Sequence, residues 1–314
     1  MQERFKYRSV NDLARRIALD LWRVPETVDV IVALPHTGAL AACFLGLQIC
    51  RPVVDLDRFL DIDGPGYGHA LIVDDTCRTG ATISAAREKI ADRFPKLRLT
   101  TLAVYCQQQA ENHVDMPLET TEGELLLEWS LFQSPIMAKA CLDMDGILCG
   151  DATTEQDDDG ANYLDFLSNT SRHAVPLGYV HRIVTSRLEK YRAETEAWLS
   201  RHRIAYGTLT MLNLPSEAER RRLRPQGRFK AEVYQSDPDA ILFVESETWQ
   251  AKEIARAAPG KAVFDYKTRT LFDSDTLKEA SLKEQVKNRL LAKARRMLRP
   301  LRLDRLHAVA RRAG

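Results

Sequence analysis

Short apolar runs alternate with stretches of helical periodicity along most of this chain. The runs are VDVIVAL (28–34), LIV (71–73), LRLTTLAVYC (97–106), the segment from Ile136 to Leu142, HRIVT (181–185) and ILFV (241–244). Runs with no polar face suit strands buried on both sides, as in parallel sheets. Between them, SVNDLARRIALDLW (9–22) predicts an amphipathic helix presenting Leu13, Ile17, Leu21 and Trp22, with Pro25 ending it. ALAACFLGLQIC (39–50) predicts an apolar helix, and ISAAREKIADRF (83–94) and EKYRAETEAWLSRH (189–202) predict two more. PVVDLDRFL (52–60) reads as a further strand, and DIDGPGYGHA (61–70), rich in turn formers, as a mobile loop. The pattern breaks at Pro135 and restarts. The expected architecture is α/β: two doubly wound, mainly parallel-sheet domains over 1–135 and 136–272, then a basic helical tail over 273–314.

Charge changes this picture at one end only. The 314 residues net +1, but residues 278–314 hold twelve Lys or Arg against three Asp or Glu, so the remainder is acidic. The tail alternates leucines (Leu290, Leu291, Leu298, Leu301, Leu303, Leu306) with arginines, broken by Pro300. It suits a membrane surface, a nucleic acid or other anionic partner, or a helix docked on the acidic body. The acidic run Glu155–Asp159 reads as a solvated loop, and the arginines at 220–222, 224 and 228 as a solvated face or a steering patch. No apolar run approaches the ~20 residues that span a bilayer, and the N-terminal segment lacks a secretory signal's apolar core. A cytoplasmic protein is expected. The six cysteines form no CxxC pair and read as buried free thiols, with Cys77 the one placed to be exposed.

Two stretches carry chemistry. In LIVDDTCRTGATI (71–83), a strand ends in Asp74 and Asp75. A small polar loop follows, Thr76, Cys77, Arg78, Thr79, Gly80, Ala81 and Thr82, and then a helix begins. Free amides and the positive end of the helix dipole favour a phosphate there, and paired carboxylates suit a sugar diol. This stretch resembles the phosphoribosyl pyrophosphate (PRPP) signature of type I phosphoribosyltransferases. By that resemblance the acids hold the ribose hydroxyls and Thr76–Thr82 hold the 5-phosphate. The earlier strand–loop–helix at Ala33, Leu34, Pro35, His36, Thr37, Gly38 and Ala39 would grip the pyrophosphate, with Mg²⁺. The resemblance also implies a loop at 61–70 that closes over the site. Many relatives place a lysine there; here Arg58 and His69 are the nearby cationic candidates. A base-covering hood is implied for 107–135, where Trp129 or Tyr105 would stack on a ring and Glu128 bond to one. The base itself is not legible, and a homodimer is an expectation from the family.

The second stretch is CLDMDGIL (141–148), where a strand ends in Asp143 and Asp145. It resembles the first motif of haloacid dehalogenase (HAD)-type phosphatases, and later motifs follow in order: Thr185 after HRIV, Lys230 in GRFKAEVY, and Glu245 with Glu247 where the family has two aspartates. The resemblance implies attack on phosphorus by Asp143, proton transfer by Asp145, phosphoryl binding by Thr185 and Lys230, and Mg²⁺ held by Asp143, Asp145, Glu245 or Glu247. Together these readings describe a bifunctional enzyme. PRPP and a nitrogenous base give a nucleotide, and a phosphate monoester, in the simplest case that nucleotide, is hydrolysed. The alternatives are a PRPP-binding sensor without turnover, or a phosphatase alone.

Overall fold

The computed structural model describes residues 5–63 and 66–278. The expectations for the tail beyond Lys278, and for the centre of the 61–70 loop at 64–65, lie outside the described residues. The chain divides into two compact units, 1–134 and 135–314. Among the described residues no helix is long and apolar enough to cross a membrane.

The first unit runs β1 (Phe5–Arg8), α1 (Val10–Asp20), β2 (Val30–Ala33), α2 (Gly38–Ile49), β3 (Val53–Asp55), α3 (Leu56–Leu60), β4 (His69–Cys77), α4 (Ala81–Arg93), β5 (Arg98–Gln107), β6 (Met116–Thr121) and β7 (Glu124–Leu127). Five strands form one parallel sheet in the order β3-β2-β4-β5-β6, while β1 pairs β7 separately. Alternate residues of the central strands feed two cores. Ile31, Leu71, Val73 and Leu102 pack with Leu13 and Ile17 of α1 and Ala41 and Leu45 of α2. Val30, Val32, Ile72 and Ala103 pack with Phe59, Ile83 and Ile90. Burial on both faces is why these strands read as unbroken apolar runs. The chain order reverses between β2 and β4, so the crevice beyond their carboxyl ends is a switch point, where ligands of such sheets bind.

Two expectations for this unit are corrected. The segment 52–60 is a strand only over Val53–Asp55. Asp55 then accepts the Arg58 N–H at 2.9 Å and caps the short helix α3, ending the extended run. Trp22 is 82% exposed rather than on the buried face, because the helix stops at Asp20 and a tight turn over Leu21–Arg23 carries the ring outward.

The second unit runs β8 (Ala140–Leu142), α5 (Ala161–Asn169), β9 (Val180–Leu188), α6 (Arg192–Arg201), β10 (Tyr206–Leu212), α7 (Glu217–Leu223), α8 (Gln226–Ser236), β11 (Leu242–Glu245), α9 (Thr248–Ala257), β12 (Ala262–Asp265) and β13 (Thr270–Phe272). Its sheet order is β10-β9-β8-β11-β12-β13, parallel except for β13. The reversal point lies between β8 and β11, so Asp143 and Glu245, at the tips of those strands, are neighbours at a second switch point. The acidic run is not a free loop: Asp158 accepts the N–H groups of Gly160 and Tyr163 (2.8 and 3.1 Å) at the start of α5, Asp157 pairs with Arg220 (2.7 Å), and Asp159 with Lys190 (2.7 Å).

The α1 helix begins with a reciprocal cap. Ser9 Oγ accepts the Asp12 N–H (3.2 Å) and Asp12 Oδ2 accepts the Ser9 N–H (2.9 Å). Ser9→Ala is expected to lower the stability of the first unit by about 1 kcal/mol. The readout is the denaturant midpoint of its unfolding, with an unchanged midpoint counting against the cap.

Candidate functional sites

In the first unit residues 74–83 form one wall of a cleft of about 460 Å³ that also takes in Pro35, His36 and Thr37, while Leu71–Val73 lie in the core. The strand continues through Asp74 and Asp75 to Cys77 before the loop turns. Asp75 is 1% exposed and its carboxylate is held from two sides: Thr37 Oγ1 donates to Oδ1 (2.9 Å) and Trp129 Nε1 donates to Oδ2 (2.6 Å). Asp74 Oδ1 accepts the Asp75 N–H (2.9 Å). Among the described residues no cation pairs with either acid. Burial, and then the charge of Asp75, push Asp74 up to about 8.

The loop geometry depends on two glycines. Gly80 sits at φ +82°, and a Cβ there would lie 2.3 Å from the His113 ring. It opens α4 with no side-chain cap from the N-cap residue; the Ala81 N–H donates to Thr79 Oγ1 at 3.4 Å. Gly38 lets the start of α2 close on β4: a Cβ would stand 2.9 Å from Asp74 Oδ1 and 3.2 Å from the Val73 carbonyl. Asp74, Asp75 and Thr76–Thr82 all line the same cleft, together with Pro35–Thr37. Ala33, Leu34, Gly38 and Ala39 do not line it; Ala33 and Leu34 are core.

Other expected residues fall elsewhere. His69 lies at the opposite end of β4, buried, with Nδ1 2.9 Å from Thr27 Oγ1 and Nε2 2.8 Å from Thr100 Oγ1. Burial, and then the charge of Arg98, lower its pKa. It is a structural residue and supplies no cation to the cleft. Trp129 stacks on Tyr105 (6.3 Å between centroids, 28°), and Glu128 accepts the Val10 N–H (2.9 Å), so all three are engaged within the unit. Cys77 is buried, whereas Cys43 and Cys50 are exposed.

In the second unit Lys230 stands between two carboxylates, 2.9 Å from Asp143 Oδ2 and 2.8 Å from Glu245 Oε2, all three buried. Ser246 Oγ also donates to Asp143 Oδ2 (2.8 Å), and the Met144 N–H to Oδ1 (2.9 Å). One ammonium shared by two acids leaves an excess negative charge. Burial and then the Asp143 charge accordingly push Glu245 up to about 8, although Lys230 opposes this. Asp145 is gripped by Arg187, itself 1% exposed, through Nε (3.0 Å to Oδ2) and Nη2 (2.6 Å to Oδ1). Burial raises the Asp145 pKa, but Arg187 more than offsets it and holds the carboxyl below its usual range. Thr185 Oγ1 is 3.4 Å from Asp145 Oδ2.

A cleft of about 190 Å³ opens beside Asp143, Asp145 and Lys230. Of the two glutamates, Glu247 lines it while Glu245 lies fully buried behind Lys230. The expected metal set does not fit as assembled: the Asp145 oxygens face Arg187, those of Glu245 take Lys230 and the Glu247 N–H, and among the described residues no group of three or more His, Cys, Asp or Glu is placed to hold a metal. Sequence reasoning missed Arg187 and Ser246. The signal for Arg187 was its place two residues after Thr185 on β9, hence on the same face.

No protein-family model matches the chain, and no curated protein matches it. Solved structures similar to it include a purine phosphoribosyltransferase from Pyrococcus horikoshii (18% identity, 40% of this chain and 94% of that one, TM-score 0.34). A xanthine-guanine-hypoxanthine phosphoribosyltransferase from Helicobacter pylori is 14% identical over 40% of this chain and 93% of its own, TM-score 0.37. A hypothetical protein from Neisseria gonorrhoeae with bound ppGpp is 12% identical over 41% and 90%, TM-score 0.36.

Two outcomes follow from the charges. Lys230→Met strands two buried carboxylates and is expected to cost about 3–5 kcal/mol, read as a loss of unfolding free energy. Adding Glu245→Gln should recover part of it, and a neutral Lys230→Met would refute the ion-pair geometry. In the first unit, the native Asp74–Asp75 pair keeps a proton up to about pH 8 that the unfolded chain loses near pH 4. The native state then binds more protons across that window, so this group's contribution to stability falls as pH rises through it and levels off above it. Asp74→Asn should flatten that fall in urea unfolding at about pH 5 and about pH 9; an unaltered slope would locate the proton elsewhere.

Proposed function

We propose that the first unit binds PRPP and transfers its phosphoribosyl group to a nitrogenous base. The observation that supports this is the single cleft in which Asp74 and Asp75 stand beside the Thr79–Gly80–Ala81–Thr82 turn at a switch point. The 5-phosphate would sit at the opening turn of α4, displacing the long Ala81 N–H to Thr79 contact, where the first-turn amides and the helix dipole favour an anion. The carboxylates would accept from the ribose hydroxyls and fix the ring. The base nitrogen then bonds to the anomeric carbon as the bond to the pyrophosphate oxygen breaks. The turn at Pro35–Thr37 faces the same cleft and would receive the leaving group, with Mg²⁺ entering as the counter-ion of the substrate's own pyrophosphate.

The second unit is proposed as a HAD-type phosphomonoesterase. Asp143, held in place by Lys230, Ser246 and the Met144 amide, would attack phosphorus as the bond to the ester oxygen breaks, and water would then release phosphate from the aspartyl intermediate. Lys230 would face the phosphoryl oxygens. Asp145 would have to loosen its pair with Arg187 before it could pass a proton to the leaving oxygen.

One observation favours a second reading of the first unit, that of a PRPP sensor without turnover. Both oxygens of Asp75 are already taken by Thr37 and Trp129, which leaves Asp74 as the acid open to the sugar. Pyrophosphate release from PRPP with a panel of purine, pyrimidine and pyridine bases separates the two. The transferase reading expects release with at least one base and a loss of about 100-fold or more in an Asp74→Asn, Asp75→Asn double variant. PRPP binding with no release for any base would replace it with the sensor.

A further inference from the structure

Five carboxylates line the second cleft: Asp143, Asp145, Asp151, Asp157 and Glu247. Four of them are committed. Lys230 and Ser246 hold Asp143, and Arg187 clasps Asp145. Arg220 pairs with Asp157 (2.7 Å), and Lys267 with Glu247 (3.2 Å). Asp151 is the fifth. It is exposed, so a ligand in the cleft can reach it, and among the described residues no hydrogen bond or ion pair holds its carboxyl.

The backbone carries Asp151 back to the strand tip. After Asp143 the chain turns tightly: the Leu148 N–H donates to the Met144 carbonyl (2.8 Å) and the Gly146 N–H to that of Cys149 (2.9 Å). Gly146 takes φ +78°, and a Cβ there would lie 3.0 Å from Ser246 Oγ and 3.2 Å from Asp151 Oδ2. Asp151 and Ser246 therefore stand on the same side of Gly146, and Ser246 is the residue that donates to Asp143. Burial, and then the charges of Asp145, Asp143 and Glu247, raise the Asp151 pKa, with Lys230 opposing them. Asp145 has the opposite character. The buried Arg187 holds it from two nitrogens and keeps it below its usual range. An acid held ionised has no proton to give. The other protic groups of the cleft do not compete: burial pushes the Tyr163 phenol further up, and the Arg220 guanidinium keeps its protons.

We infer that Asp151, and not Asp145, protonates the leaving oxygen in the second cleft and then draws a proton from water. This rests on the phosphomonoesterase reading of the second unit. In the first step an Asp143 oxygen bonds to phosphorus, the ester P–O bond breaks, and the departing oxygen takes the Asp151 proton. In the second, the Asp151 carboxylate takes a proton from water, the water oxygen bonds to phosphorus, and the aspartyl P–O bond breaks. Phosphate leaves, and both acids return to their starting states. Asp145 and Arg187 then need not separate during the reaction; they brace the strand tip as a fixed ion pair.

The test uses the full chain with Mg²⁺ present and two esters of nearly one shape, p-nitrophenyl phosphate and phenyl phosphate. Nitrophenolate leaves readily without a proton, whereas phenol, with a pKa of about 10 like the tyrosine side chain, needs one. The readout is the ratio of kcat/KM for the first ester to that for the second, which does not depend on the folded fraction. Asp151→Asn, at an exposed carboxyl without a partner, should raise the ratio about tenfold or more by slowing phenyl phosphate. Asp145→Asn leaves the buried Arg187 unpaired and should lower both activities together. An unchanged ratio in Asp151→Asn overturns the assignment while the phosphomonoesterase reading stands, and so does a ratio that rises in Asp145→Asn instead. A wild type that hydrolyses p-nitrophenyl phosphate alone has no working acid, which also overturns the assignment. A wild type that hydrolyses neither ester removes the phosphomonoesterase reading, and the role of Asp151 with it.

Discussion

Carboxylates buried at the tips of parallel strands are the constraint from which both clefts follow. An ionised acid removed from water must find a counter-charge or several donors, or it gives up its charge. Each unit places acids where the strand order reverses, Asp74 and Asp75 on β4 and Asp143 after β8 beside Glu245 on β11, and each must then satisfy them locally.

The two units satisfy them differently. The first uses neutral donors. Thr37 and Trp129 hold Asp75, and among the described residues no cation stands against either acid, so Asp74 is left with a raised pKa at an open cleft. That arrangement is short of positive charge and of donors, both of which the proposed ribose diol and a substrate-borne cation would supply. The second unit uses buried cations. Lys230 bridges Asp143 and Glu245, and Arg187 clasps Asp145, so the nucleophile candidate is fixed and the neighbouring acid is held ionised. The same strand-tip geometry thus yields one site held by neutral donors and another held by buried cations.

Much of the fold was legible because burial on both faces writes itself as continuous apolar runs, and because LIVDDTCRTGATI is local: strand, acids, turn and helix entrance are contiguous, and all of its loop lies in one cleft. What was not legible came from distance along the chain. Trp129 read as a platform for a ring. The structure turns its indole N–H onto Asp75, a pairing of residues 54 apart in sequence. Arg187 reaches Asp145 across 42 residues and changes the acid's character without altering any motif. The pair Glu245 and Glu247 looked interchangeable in sequence. The tip of β11 separates them, one behind Lys230 and one at the cleft. The run 52–60 misled because Asp55 caps a helix in the middle of a segment with strand-like composition.

The account's central claim is that the β4–α4 turn, with its two acids, is a built site for a phosphorylated ribose. Its most direct test is calorimetric titration of PRPP into the full chain and into a Gly80→Val variant, whose added side chain would meet His113 and deform the turn. The account predicts one saturable site in the native chain and its loss in the variant. Absence of heat in the native chain, or equal binding by both, would contradict it.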